Sequence, residues 1–274
     1  MLDLPNVTLI VVETRSHELM RLSLNDITSK VKFGGGVVIY TDHPELVQVL
    51  DAQYHLVPNW SNKIEAGKFY YQDAAQGAST SHALLMEWDG GLRDLSMWRD
   101  EFLTYDYIGA PWVWPTRTLP DYLVGNGGFM LISKRLADAV YKDQLGIATD
   151  VLLAREHRLH FEQSIDAKWA PIDVAYHFSY EHGGDRNHAA PSFGYHDVFN
   201  WPIALSKEEV IHRARLLMNS QYGRATGKLD LLCRDWPWVA PAIGYNMRHR
   251  APMRVLHRRH PIPGRSGFGA GQKA

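Results

Sequence analysis

Hydrophobic and polar positions fall along this chain in blocks that predict alternating strands and helices. Val7–Glu13 (VTLIVVE) is a continuous β-branched run, the pattern of a strand buried on both faces of a parallel sheet. Residues 17–28 then carry Leu19, Met20, Leu22, Leu24 and Ile27 at helical spacing and predict an amphipathic helix. Gly34, Gly35 and Gly36 break the chain, and residues 37–40 (VVIY) predict a second buried strand ending in Thr41 and Asp42. Residues 44–51 predict a short helix, residues 54–57 a third strand and residues 66–78 another helix. The apolar run 83–88 (ALLMEW) predicts a fourth strand, which stops at Asp89-Gly90-Gly91. Strands that alternate with helices and end in glycine or a polar residue describe a doubly wound α/β sheet with helices on both faces. The ligand of such a sheet lies beyond the carboxyl ends of its strands.

The second half reads differently. Tyr107–Ile108 and residues 129–132 predict strands on either side of a glycine-rich loop, and residues 134–141 and 150–159 predict helices. Residues 168–175 read as a short strand region. Residues 206–219 form a helix capped by Ser206, with Val210, Ile211, Ala214, Leu216 and Leu217 turned inward. The expected organisation is one α/β domain over residues 1–205, a helical extension over 206–247 and a basic tail over 248–274.

Composition changes this picture little, and charge changes it at one end. At 274 residues and 45% hydrophobic content the chain can bury a sizeable core. The single cysteine, Cys233, excludes an intramolecular disulfide and a cysteine-based zinc site, fits a reducing compartment and reads as a packing residue. The apolar stretch at residues 7–12 is too short for a signal peptide or a span, so the expected location is cytoplasmic, at most peripheral at the inner membrane surface. The net charge of -1 conceals seven Lys or Arg and no acid in residues 248–274. Arg248, Arg250, Arg254, Arg258 and Arg259 in that tail suit contact with an anionic membrane or nucleic acid, and a solvated chain end would read the same.

The candidate chemistry lies where strands end. Residues 105–112 (YDYIGAPW) and 124–129 (VGNGGF) bring aromatic faces next to a Gly-Asn-Gly-Gly run. Such glycines allow positive φ and let a ligand approach backbone N–H groups, while the aromatic rings suit a sugar or a base. A hairpin beside an aromatic core would carry the same residues. Asp89 should sit exposed at a strand end, as a hard-cation ligand or in an Asp-Gly turn. Asp150 opens a predicted helix, where it complements the helix dipole or, facing a pocket, serves as a general base. Glu162 is a further carboxylate, expected on a helix surface. His196 has His177, His182 and His188 as competitors, and their spacings fit no zinc pattern. No GxxxxGK[ST] run, GxGxxG after the first strand or GxSxG elbow occurs, which sets aside P-loop, dinucleotide and serine-hydrolase chemistry.

Taken in order, residues 83–89, YDYIGAPW, GNGGF, Asp150-Val151, residues 170–175, Phe178-Ser179-Tyr180-Glu181 and Phe193-Gly194-Tyr195-His196 resemble a family of GT-A-like glycosyltransferases catalogued mainly as a domain of unknown function. The resemblance covers roughly residues 5–202. It implies transfer of a sugar from a nucleoside diphosphate sugar, with a UDP-sugar favoured, to a hydroxyl acceptor on a glycan or glycolipid. It implies a divalent cation, Mn or Mg, held by Asp89 and His196. The acidic element reads Glu87-Trp88-Asp89, which leaves open whether Glu87 joins Asp89. Thr149-Asp150-Val151 falls where the family has Glu-Asp-Val; Thr149 replaces the glutamate, and the retained aspartate makes Asp150 the candidate base of an inverting transfer. Glu13, Thr14, Arg15, Thr41, Asp42 and Gly90 fall at the donor positions, and Tyr107, Trp112, Asn126, Gly127 and Gly128 on the sugar and acceptor side. Alternatives are a transferase acting on modified bases of DNA and a non-catalytic nucleotide-sugar or carbohydrate-binding module.

Overall fold

The runs of β-branched and aliphatic residues become strands β1 (Leu2–Leu4), β2 (Val7–Glu13), β3 (Val31–Phe33), β4 (Val37–Thr41), β5 (Ala52–Leu56) and β6 (His82–Met86). They are followed by β7 (Gly91–Leu92), β8 (Tyr107–Ile108), β9 (Phe129–Ser133), β10 (Ser179–Tyr180) and β11 (Gly194–Tyr195). The computed structural model describes residues 1–112, 122–181, 191–220 and 227–246; His182, His188 and the basic tail lie outside them. One six-stranded sheet runs in the order β5-β4-β2-β6-β9-β8. β2, β4, β5 and β6 are mutually parallel, and β9 runs antiparallel to both β6 and β8. The expected α/β sheet is present, with antiparallel pairing along one side.

Alternation along the central strands sends their side chains into two cores. Leu9, Val11, Val37, Ile39, Leu84, Met86 and Leu131 face one, and Ile10, Val38, Ala83, Leu85, Met130 and Ile132 face the other. Helix α1 (His17–Lys30) covers the first face with Leu19, Met20, Leu24 and Ile27; Leu22 stays half-buried. A helical stretch begins as α2 (Lys63–Lys68), continues through residues 69–77 and packs on the second face with α3 (Lys134–Asp143). Each aliphatic side chain fully buried this way contributes about 1.5–3 kcal/mol. The sheet is therefore held mainly by β2 and β6, and not by the edge strand β5, most of whose residues are exposed.

Three sequence expectations change. Residues 44–51 keep only one helical turn, Pro44–Leu46. The helix expected at 150–159 is interrupted near His157 and resumes as α4 (Arg158–Ile165), where Glu162 pairs with Arg158 at 2.7 Å. The strand expected at 168–175 is limited to one bridge from Trp169 to Tyr107. Beyond Pro171 the chain is helical, α5 (Ile172–Phe178), because Val174, Ala175 and Phe178 meet the core at helical spacing. After α6 (Trp201–Ala204) come α7 (Lys207–Asn219), α8 (Lys228–Asp235) and α9 (Val239–Ile243). Ser206 and Glu209 close the N-terminus of α7 with a reciprocal capping box. Val210, Ala214, Leu217, Leu232 and the buried Cys233 join the α1-side core. From α7, buried Arg213 donates to Ser23 Oγ at 2.7 Å, and Ser23 donates to the Trp88 carbonyl at 2.8 Å. The extension thus reaches the strand end that carries Asp89.

Candidate active site

The sheet order reverses between β2 and β6: the chain runs outward from β2 through β4 to β5, then returns to the other side of β2. Both carboxyl ends open on the crevice where such sheets take their ligands. A cavity of about 360 Å³ lies there. Its walls include Glu13, Thr14 and Arg15 after β2, Glu87 and Trp88 after β6, Trp60, Tyr70 and Tyr71, and Thr149 and Asp150.

Asp89 sits next to this cavity and, contrary to expectation, is fully buried. The apolar run ends in a packed corner and not in an open turn, because Lys228 and His196 close over it. The short sheet β10-β11-β7 brings His196 there: Tyr195 registers with Gly91, and the His196 N–H donates to the Tyr180 carbonyl at 2.9 Å. His196 Nε2 then lies 3.5 Å from Asp89 Oδ1 and 3.7 Å from Glu87 Oε2. One ligand atom from each of Glu87, Asp89 and His196 falls within 4.8 Å of the others, so these three can hold a metal ion. Asp89 Oδ1 and His196 Nε2 are buried without a hydrogen-bond partner, an orphaned acceptor and ring nitrogen of the kind a cation satisfies. Glu87 thus lies within reach of the same ion position as Asp89.

Glu181 was not among the sequence candidates for this cluster. Its Oε1 accepts from Asn126 Nδ2 at 2.8 Å and lies 3.5 Å from His196 Nδ1, an anionic neighbour on the other ring nitrogen. Burial opposes charge on both central groups, and proximity reverses it. Lys228 and His196 hold the Asp89 carboxyl well below the usual carboxylate range. Asp89, then Glu181 and Glu87, raise His196 well above its ordinary value.

The loop 125–128 lies between this cluster and Asp150. Its glycines do not use the positive φ open to them. They are needed for close approach: a Cβ on Gly128 would overlap the His196 ring, and one on Gly127 the Tyr71 ring. The loop's amides are also engaged, Gly128 N–H with Asn126 Oδ1 at 3.1 Å and Gly127 N–H with Asp150 Oδ2 at 3.2 Å. Asp150 Oδ1 accepts from the Val151 N–H at 2.8 Å, and Thr149 Oγ1 caps the same turn through the Leu152 N–H. Burial pushes the Asp150 carboxyl up to about 6, opposed by those N–H donors and reinforced by Glu181 and Glu87.

The other sequence candidates separate. Thr14 and Arg15 line the cavity. So does Glu13, but its Oε1 accepts from the Arg15 and Ser16 N–H groups and shapes its own turn. The Gly90 N–H donates to the Glu87 carbonyl, closing the turn beneath Asp89. Thr41 and Asp42 lie off the cavity lining: Thr41 Oγ1 accepts from the His43 N–H and Asp42 pairs with His17 at 2.7 Å. Tyr107 is fully buried and donates to the Gly125 carbonyl at 2.6 Å. Trp112 is buried with the Arg155 guanidinium 4.1 Å from its ring, and Asn126 is engaged beneath the loop. Tyr107 and Trp112 pack against the loop at Gly125, and Asn126 ties it to Glu181 from within. Trp60, Lys63, Tyr70, Tyr71, Glu181 and Lys228 escaped sequence reasoning; they meet the site across long separations, and only the aromatic content of residues 69–71 hinted at them.

An α/β protein with a carboxylate and histidine cluster at its topological switch point is the class these features define. A family model described as "Protein of unknown function (DUF5672)" matches residues 57–196, and the chain belongs to that family. No curated protein matches the sequence. Among solved structures, the chain is similar to a glycosyltransferase involved in the glycosylation of the major capsid of PBCV-1, at 10% identity and a TM-score of 0.41, over 69% of this chain and 91% of that one. Among the described residues, no helix is long and apolar enough to cross a membrane.

Proposed function

We propose that the chain is a metal-dependent glycosyltransferase that moves a sugar from a nucleoside diphosphate sugar, UDP-sugar favoured, to a hydroxyl of a glycan or glycolipid. The observation that carries this reading is the placement of Glu87, Asp89 and His196 beside a cavity at the sheet's switch point, with Asp150 in the wall of the same cavity. Glu87, Asp89 and His196 would hold Mn²⁺ or Mg²⁺, which when bound neutralises charge on a leaving diphosphate. Arg15 and Lys63 in the cavity wall add positive charge for the same group, and Trp60 and Tyr71 offer aromatic faces to a base or sugar. Asp150, with a carboxyl near 6, accepts the acceptor's proton as its oxygen attacks the anomeric carbon, and direct displacement inverts the configuration. Asn126 and Glu181 keep His196 oriented; Tyr107 and Tyr70 hold the loop between the two carboxylate groups through the Gly125 and Gly127 carbonyls.

The test is a panel of nucleotide sugars with Mn²⁺ or Mg²⁺, scored for donor hydrolysis and for thermal shift. Metal-dependent turnover of at least one donor is expected, lost in Asp89→Asn and His196→Ala. A panel in which no donor binds with metal, or in which both variants keep full turnover, overturns the reading. Donor binding without turnover on any acceptor would leave a binding module.

A further inference from the structure

Lys228, the first residue of α8, lies outside the matched family segment 57–196, yet its ammonium pairs with Asp89 Oδ2 in the cation cluster. It also lies 3.4 Å from Asp197 Oδ1 and 5.3 Å from the centre of the Trp88 ring. Asp89 is fully buried and turns its other oxygen, Oδ1, toward His196. One carboxylate thus faces two cationic claims: a resident ammonium on Oδ2 and the ion position at Oδ1. Charges this close, in a poorly solvated corner, repel far more strongly than they would in water.

We propose that Lys228 is a built-in counter-ion that keeps the site's affinity for a bare divalent cation low and makes metal and nucleoside diphosphate bind together. The inference rests on the metal reading of Glu87, Asp89 and His196. In the metal-free protein the ammonium and His196 together offset the buried Asp89 charge, which is costly to leave unpaired. A divalent ion arriving alone meets that positive charge. An ion arriving with a diphosphate brings anionic oxygens to which the ammonium can turn, so each ligand strengthens the other, and by the same factor. Because Lys228 begins α8, this device belongs to the C-terminal extension and couples that extension to loading of the site.

Calorimetric titration of Mn²⁺ into the full chain, alone and with UDP or GDP, tests the proposal in wild type, Lys228→Gln, Lys228→Arg and Asp89→Asn. The Gln variant keeps a hydrogen-bond donor toward Asp89 and removes the charge. It is expected to bind Mn²⁺ alone about 10-fold or more tightly than wild type and to lose most of the mutual strengthening with nucleotide, whereas Arg keeps the wild-type pattern. Unchanged or weaker Mn²⁺ binding in Lys228→Gln overturns the counter-ion role while leaving the metal site standing. Absence of Asp89-dependent Mn²⁺ binding in every variant, with or without nucleotide, overturns the metal reading beneath it. Should Lys228→Gln fail to fold, the Nζ resonance of Lys228 in wild type decides: it should move on addition of Mg²⁺ with nucleotide, and a resonance that stays in place overturns the proposal.

Discussion

Asp89 and Asp150 lie on opposite sides of the loop 125–128, and their surroundings drive them apart. Asp89 is sealed under Lys228 and His196, whose positive charge outweighs the cost of burial and keeps it ionised. Asp150 is held by the Gly127 and Val151 N–H groups and feels the Arg155 guanidinium, but burial, with Glu181 and Glu87 adding to it, outweighs them and raises its carboxyl to about 6. Paired carboxylates pushed in opposite directions divide the labour of a site: the permanently charged one suits a cation, and the one poised near neutrality suits proton transfer. The difference comes from partners: Asp89, the more deeply buried of the two, is the one kept ionised.

The sharpest way to break this division is Asp89→Asn. Removing the charged oxygen from the cation cluster should lower donor turnover by at least about 100-fold and abolish the thermal shift produced by Mn²⁺. If Asp89→Asn retains both, the two carboxylates do not have separate roles. Asp150→Asn should give the mirror result: kcat falls about 100- to 10,000-fold while the Mn²⁺-induced shift is kept.

The pH profile sharpens the same contrast. A base must be ionised to act, and the Asp150 carboxyl is raised to about 6, so kcat/KM should be flat above that value and fall about tenfold per pH unit below it. In Asp150→Asn that limb should vanish from the residual rate. A limb that persists in the variant assigns the proton transfer to another group.

Much of this was legible in the chain before any fold was described, and the parts that were not share a cause. Continuous aliphatic runs marked β2, β4 and β6, because a strand buried on both faces has no polar positions to disguise it. Asp89 and Asp150 stand out as carboxylates at the ends of predicted elements, whereas His196 stands out only through the family resemblance. Of the two properties the glycine loop offers, positive φ and close approach, the second is used, and what approaches Gly127 and Gly128 is Tyr71 and His196, brought in from distant segments. Glu181 and Lys228 were missed for the same reason. Each acts through a partner far away in sequence, Asn126 for one and Asp89 for the other; Glu181 stands in a segment of the family resemblance that shows no role for it, and Lys228 carries no local mark. The strand read at 168–175 failed because Pro171 and the residues after it satisfy a short apolar run and a helical face equally well.

The two glycines allow the comparison to be cut along its seam. An alanine methyl at either position overlaps a packed ring, and overpacking of this kind costs about 1–3 kcal/mol. Both variants should therefore melt at lower temperature by similar amounts. Their functional losses should differ: Gly128→Ala displaces His196 and weakens Mn²⁺ binding, whereas Gly127→Ala displaces Tyr71 beside Asp150 and lowers kcat with Mn²⁺ binding kept. Identical losses in the two variants would mean that the loop couples both sides as one unit.

The finest cut is Glu181→Gln, because Glu181 acts on both carboxylates. Its charge adds to the elevation of Asp150, and its Oε1 faces His196 Nδ1 while accepting from Asn126. A glutamine of the same shape keeps a carbonyl oxygen for Asn126 and removes the negative charge. Loss of such an orienting carboxylate should weaken Mn²⁺ binding by about 10-fold, at the low end of what outer partners of a metal histidine contribute, since the ring remains packed against Gly128. The acidic limb of the rate profile should at the same time move to lower pH, because one of the charges opposing ionisation of Asp150 is gone. Measured together, a weaker metal and a down-shifted limb would tie the two sides through one residue. A change in metal affinity with no movement of the limb would confine Glu181 to the cation side and leave burial as the main cause of the raised Asp150 carboxyl.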